Sequence, residues 1–116
     1  MAVHFECIDP QTLLRDFDAH LMQREPVGRI TTWEKSQDGQ YYTHRAAEWA
    51  RKAWFKPGVH GNYLSFYIIK SRDIDLTARA YAYYHGHLIE TFLAHFDTQF
   101  TRATASALAE QGDFVK

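Results

Sequence analysis

The clearest candidate for acid–base chemistry is His85, which lies in an amphipathic pattern that covers residues 81–103. Apolar residues recur there with the 3.6-residue period of a helix, in a stripe about 120° wide, and His85 falls in its middle. A histidine on such a stripe is buried and needs a hydrogen-bond partner, so it is either a core residue or a working acid or base. An aromatic-lined pocket around His85, the tentative catalytic residue, would favour the second interpretation. The residues predicted to line that pocket are Trp33, His44, Tyr81 and Tyr84.

A second constellation combines basic and aromatic side chains. Although the whole chain carries a net charge of −1, residues 45–72 contain six basic residues against a single acidic one, Glu48. Cations neutralise phosphates and aromatic faces stack on unpaired bases, so the segment is a candidate site for single-stranded nucleic acid. An acidic protein surface would satisfy the same cations, and a third interpretation is that they only rim a half-buried sheet. The predicted binding residues are Arg45, Arg51, Lys52, Trp54, Lys56 and His60.

Metal and cofactor chemistry finds less support in the sequence. The segment HGHLIETFLAHFD is rich in histidine and carboxylate, but on a helix His87 and His95 lie about 80° apart and no HExxH pair occurs. Glu90 and Asp97 lie on the side away from His95, so we expect these four residues to be solvated. No Gly-rich phosphate loop, nucleophile elbow or CxxC motif is present. We therefore predict no metal and no cofactor, and leave catalytic activity open.

The cellular setting follows from cysteine use and hydropathy. The only cysteine, Cys7, excludes an intrachain disulfide framework and indicates a reducing compartment. The N-terminus has no apolar run of signal-peptide length, and no stretch approaches 18 consecutive apolar residues. These features predict a cytoplasmic protein with no membrane association.

The first half of the chain has clear signals for a helix and a hairpin. Asp9 and Pro10 suit the cap and the first turn of a helix that should continue to about Arg24. Asp38-Gly39 is the preferred pair for a two-residue type I′ turn. That turn places Trp33 opposite His44 and continues the pairing as far as Glu48.

The second half is less clear. Residues 45–55 are alanine-rich like a helix but alternate like a strand, and we favour a long second strand with Trp49 and Phe55 on its core face. A loop at residues 56–62 and a third strand over residues 63–70 should follow. A final helix, capped by Asp73 or Asp75, would span about 50 Å if it ran unbroken over residues 76–110, against about 35 Å for a domain of this size. Either it bends or ends early, near Gly86 or after Phe100, or its overhang packs on a second subunit.

Together these features predict a single α+β domain over residues 1–116, with a three-stranded antiparallel meander covered by an N-terminal helix and a long C-terminal helix. The leading functional hypothesis is a small cytoplasmic binding protein, a homodimer, that engages an anionic partner through its basic aromatic segment. The alternative is a small-molecule pocket, or a weak acid–base enzyme, built around His85.

Overall fold

Six strands and two helices follow one another in the computed structural model, which describes residues 1–116. In chain order they are β1 (Ala2–Glu6), α1 (Pro10–Met22), β2 (Trp33–Lys35), β3 (Tyr42–His44), β4 (Ala53–Val59), β5 (Tyr63–Lys70), α2 (Ala78–Phe96) and β6 (Arg102–Ala105). The fold is of the mixed α and β class that the sequence predicts. Neither helix combines the length and the apolar character needed to cross a membrane.

All six strands belong to one antiparallel sheet, in the order β2-β3-β4-β5-β1-β6. The predicted three-stranded meander is therefore wrong in its number of strands. Two of the missing strands come from the ends of the chain: β1 pairs with β5, with Phe5 opposite Leu64, and β6 pairs with β1, with Ala103 opposite Phe5. Such pairings join residues far apart in sequence, which no local pattern reveals.

Both helices pack on the same face of the sheet. Phe17 of α1 contacts Phe66 of β5 with ring centroids 5.8 Å apart, and Phe92 of α2 stacks on Phe5 of β1 at 4.2 Å. Because side chains alternate along a strand, the neighbours of Phe5 and Phe66 point to the opposite side, called here the outer face. The core is accordingly one aromatic-rich cluster of 18 buried residues between the helices and the inner face.

The β2–β3 hairpin has the predicted register but a different turn. Trp33 lies opposite His44, as expected. Gly39 has a φ of 75°, whereas Asp38 has no positive φ, so the turn is not type I′, which requires positive φ at both positions. The Gly39 amide donates to the Ser36 carbonyl at 2.9 Å, and the loop spans residues 37–40. A four-residue loop centred on the same two residues pairs the same strand positions as a two-residue loop, so the register is unchanged.

The predicted long second strand is interrupted. β3 ends at His44, and residues 46–51 form successive turns in which the Ala50 amide donates to the Ala46 carbonyl at 2.8 Å. Arg51, with a φ of 59°, reverses the chain into β4. The alternation of residues 45–55 was therefore misleading before Ala53, because the alanine-rich segment forms turns that include one hydrogen bond of the helical i to i+4 type.

The predicted loop at residues 56–58 is also wrong, because these residues lie within β4. Pro57 is tolerated in a strand because β4 pairs with β3 only at Phe55, which leaves the rest of that edge without a ladder. The reversal into β5 occurs at residues 61–62, where the His60 amide donates to the Tyr63 carbonyl at 3.0 Å.

Helix α1 begins as predicted, with the Asp9 side chain accepting a hydrogen bond from the Thr12 amide, and it ends at Met22, two residues before the expected end. Helix α2 is capped by Thr77 rather than by either predicted aspartate, and it ends at Phe96. Its 19 residues span about 28 Å in a molecule 35 Å across its longest axis. The early end removes the overhang on which the predicted dimer through this helix depended.

The C-terminal tail, residues 106–116, crosses the outer face and then pairs with the last residues of β5 in the plane of the sheet. The Phe114 amide donates to the Ile68 carbonyl at 2.9 Å, and Phe114 bridges to Ile69 in parallel. Gly112 has a φ of 107°, and a β-carbon at this position would lie 2.7 Å from the Tyr67 ring. The tail thus brings Phe114 beside the centre of the sheet.

Candidate functional site: a cationic aromatic groove on the outer face

Trp54 lies on the outer face of the sheet. Its neighbours Ala53 and Phe55 are fully buried on the helix side, so the alternation of β4 directs Trp54 to the opposite side. The indole is half-buried, and its cross-strand partner is Ile69 of β5. The sequence predicted the face of Trp54 correctly although it misjudged where the strand begins.

A groove of about 540 Å³, the Trp54 groove, lies along this side chain. Trp54 and Ile69 form it together with Tyr41, next to the hairpin turn, and Phe114 of the C-terminal tail, which is 57% exposed. An adjoining cavity of about 680 Å³ shares Trp54 and includes Arg51. The combined feature is an open surface with aromatic side chains that remain accessible from solvent.

Cations surround the groove. Lys70 and Arg72 line it, Arg51 lines the adjoining cavity, and Lys56 is exposed on the same face, two positions along β4 from Trp54. None of these four side chains forms an ion pair with an acidic residue of the chain. Three acidic residues lie among them: Asp73 lines the groove, and Glu34 and Asp38 line the adjoining cavity. The groove itself thus has a small excess of positive charge, with two cations against one carboxylate, beside accessible rings.

The other predicted binding residues do not gather here. Arg45 lines a separate recess at the other end of the β2–β3 hairpin, and Lys52 projects from the turn segment before β4. His60 lies at the far end of β4, stacked on Tyr63 at 4.3 Å and hydrogen-bonded to the Tyr67 hydroxyl at 3.0 Å. Of the predicted set, the structure brings together Arg51, Trp54 and Lys56, to which the fold adds cations from β5 and from the segment after it.

His85 does not have the buried position that the sequence predicts for it. His85 is half-exposed at the edge of α2, where its Nδ1 donates to the Tyr81 carbonyl at 3.1 Å and its ring stacks on the Tyr81 ring at 4.8 Å. Burial raises the pKa of the Tyr81 phenol to about 12, and its hydroxyl donates to the Ser106 carbonyl at 2.6 Å. Tyr84 and Trp33 are buried in the core, where the Trp33 indole donates to Thr91 at 3.0 Å. None of the five well-formed cavities is lined by His85 or these aromatic residues.

The buried histidine is His44, which is 2% exposed. Its Nδ1 accepts the Ala46 amide at 3.0 Å, so the proton of the neutral ring is on Nε2, which donates to Nδ1 of His87 at 3.4 Å. Burial, and secondarily the nearby His87, lower the pKa of His44 to about 4. His87 also stacks on Tyr83 at 4.1 Å, so it is half-buried rather than solvated as predicted.

The other residues of the histidine-rich segment on α2 do not form a cluster. Glu90 and Asp97 are exposed, as expected, whereas His95 is half-buried with its ring 6.1 Å from that of His20. Burial, followed by the effect of His20, lowers the pKa of His95. The structure contains no group of three or more potential ligands that could hold a metal ion.

A further cluster, which the sequence did not predict, consists of Ser65, His4 and Glu110. Nδ1 of His4 lies 2.7 Å from the Ser65 hydroxyl and its Nε2 lies 2.8 Å from the Glu110 carboxylate. These residue types resemble a nucleophilic triad, but Ser65 is fully buried within β5 and has no access to a substrate. The network therefore fastens the C-terminal tail to the outer face. No sequence signal reveals it, because its three residues come from the two ends and the middle of the chain.

No protein-family model, curated protein or solved structure matches the chain. The Trp54 groove is accordingly interpreted from its geometry and charge alone.

Proposed function

We propose that this protein is a small binding protein that engages an anionic partner, foremost single-stranded nucleic acid, through the Trp54 groove. The observation that supports this most directly is the coincidence of accessible aromatic side chains with four cations that have no ion-pair partner. Cations in such positions are free to replace counterions along a phosphate backbone. Trp54, Tyr41 and Phe114 provide surfaces on which unpaired bases stack.

The aromatic residues favour nucleic acid over an acidic protein surface. Cations serve either partner, but Trp54, Tyr41 and Phe114 give unpaired bases rings to stack on, a contact that a purely charged surface does not use. Each base stacked on an aromatic side chain contributes about 1 to 3 kcal/mol to single-strand binding. The groove lies over β4 and β5 and is open to solvent. It therefore suits a flexible single-stranded nucleic acid better than a rigid duplex.

The proposal is tested by fluorescence anisotropy with labelled single-stranded DNA and RNA oligomers at increasing salt. Three to four phosphate contacts predict a log-log slope of about −2 to −3, at roughly −0.7 per neutralised phosphate. Lys56→Ala and Arg72→Ala should each flatten that slope. Trp54→Ala should weaken binding by about 1 to 3 kcal/mol with little change in slope, because stacking releases no ions. Arg15→Ala is the matched control, since this exposed arginine lies on α1, which covers the opposite face.

Tryptophan fluorescence provides a second measurement. Trp33 is buried and Trp49 stacks on Tyr83 at 4.3 Å, so a ligand in the groove should quench mainly Trp54. The quenching should disappear in Trp54→Phe. If no oligomer binds at low salt while an acidic peptide does, the nucleic-acid version fails and an acidic protein partner takes its place. If neither binds, the groove has no anionic partner and the proposal is wrong.

The proposal includes a cytoplasmic location and a homodimer. The single cysteine supports a reducing compartment. Strand β6 is the last strand of the sheet, so one of its edges pairs with no other strand. Such an edge can pair with β6 of a second copy. Light scattering at micromolar concentration should then give the dimer mass. A monomer mass would contradict the dimer without affecting the groove.

A further inference from the structure

A separate recess of about 440 Å³ lies at the end of the β2–β3 hairpin remote from the Asp38-Gly39 turn. It shares no residue with the Trp54 groove or with the cavity that adjoins that groove. Its lining residues are Arg29, Thr31, Thr32, His44, Arg45 and Ala46.

The lining offers charged and neutral hydrogen-bond donors and no carboxylate. Arg29 and Arg45 are exposed, and neither forms an ion pair. The hydroxyls of Thr31 and Thr32 make no hydrogen bond within the chain, so their donors are free. Two guanidinium groups and two hydroxyls around one recess match the acceptor oxygens of a tetrahedral oxyanion.

The backbone that carries these donors is held in place. The Arg45 amide donates to the Thr32 carbonyl at 2.8 Å, and the next amide, that of Ala46, donates to Nδ1 of the buried His44 at 3.0 Å. On the other side, the Arg29 amide donates to the Pro26 carbonyl at 3.3 Å. These hydrogen bonds fix the backbone positions from which Arg29 and Arg45 project.

We propose that this recess binds the phosphate group of a small phosphate monoester. Arg29 and Arg45 each present a planar fork of donors, and a phosphate dianion offers two negative charges and three terminal oxygens to the two guanidinium groups. The recess is open to solvent, so an organic group can extend outward from the phosphate. The hydroxyls of Thr31 and Thr32 complete the donor set. The site is independent of the function proposed for the Trp54 groove.

The test is a ¹⁵N-HSQC titration at pH 7.5 with three probes: inorganic phosphate, ribose 5-phosphate and uncharged ribose. Ribose 5-phosphate should give saturable chemical-shift changes centred on residues 31, 32, 45 and 46. It should bind at least several-fold more tightly than inorganic phosphate. Ribose should give no such shift changes. Equal or weaker binding than inorganic phosphate would overturn the assignment to a monoester. Shifts scattered over all basic residues without saturation would overturn the site itself.

Variants separate this site from general charge attraction. Arg29→Ala and Arg45→Ala should each weaken binding of ribose 5-phosphate about tenfold or more, and because both side chains are exposed we expect both variants to fold. Arg15→Ala and Trp54→Ala should bind it as the unaltered protein does. If Arg29→Ala and Arg45→Ala also retain full affinity, the recess is not the site. Loss of affinity in Trp54→Ala would place the ligand in the groove instead.

Discussion

Acidification should destabilise this protein through His44, and the size of the effect follows from its burial. The folded protein holds the pKa of His44 at about 4, mainly because burial disfavours the charged ring, whereas in the unfolded chain it has the ordinary value of 6.5. Below pH 6.5 the unfolded chain therefore binds a proton that the folded protein does not. At roughly 1.4 kcal/mol per pH unit, the free energy of unfolding should fall by about 3 kcal/mol between pH 6.5 and pH 4.

The sign is fixed by the direction of the pKa change. A depressed folded pKa means that the full stability is present above pH 6.5, is lost progressively as the pH falls to 4, and does not change further below that value. Other groups titrate in the same window, among them His95, whose pKa is also lowered by burial. The contribution of His44 is therefore the difference between the unaltered protein and His44→Phe, in which those groups remain.

Urea unfolding followed by far-UV circular dichroism at pH 7.5, 6.5, 5.5 and 4.5 measures this difference. His44→Phe should lose about 1 to 3 kcal/mol at pH 7.5, because the Ala46 amide loses its acceptor, but its stability should decrease less on acidification. His85→Phe is the matched control: the half-exposed ring should cost less than about 1.5 kcal/mol and leave the pH dependence unchanged. Parallel pH curves for His44→Phe and the unaltered protein would refute the reasoning.

Three further substitutions probe the fold. Asp9→Ala should cost about 1 kcal/mol by removing the cap of α1, and an unchanged urea midpoint would show that the cap is dispensable. Trp33→Phe should cost about 2 kcal/mol, since the smaller ring leaves a void and Thr91 loses the indole donor; a loss below 0.5 kcal/mol, on the order of a surface change, would contradict this. Gly112→Ala should loosen the C-terminal tail, because a β-carbon would meet the Tyr67 ring at 2.7 Å with φ at 107°, and unaltered amide exchange over residues 106–116 would argue against that contact.

The apolar stripe predicted for α2 is correct in part, and its error is a rotation around the helix axis. The sequence places Tyr81, Leu88, Phe92 and Phe96 on the buried side, and all four are buried. The side of α2 that is buried is centred roughly 60° from the predicted stripe, because Ala80, Tyr84 and Thr91 are buried on one margin and Ile89 on the other margin is only half-buried. That shift was enough to place His85 in the core in error and to miss the burial of Tyr84 and Thr91.

The sequence predicts only some residues of the Trp54 groove, because the others come from segments that are distant in the chain. Alternation along β4 predicts the outward direction of Trp54, because the period of a strand is local. The approach of Phe114 and Arg72 depends on where the tail and the segment after β5 run, and the separation of Arg45 from Trp54 depends on the reversal at Arg51. The alanine-rich composition of residues 45–55 was a local sign against a continuous strand, but it did not show where the chain would turn.

The sequence by itself determined the α+β class, the start of α1, the register of Trp33 against His44 and the outward direction of Trp54. Each depends on interactions within a few residues: a cap, a turn or the alternation of one strand. Only the tertiary structure decided which strands lie side by side, that His44 rather than His85 is the buried histidine, and which cations surround the groove. These features depend on contacts between distant parts of the chain, whose geometry is set by packing both helices on one face of the sheet.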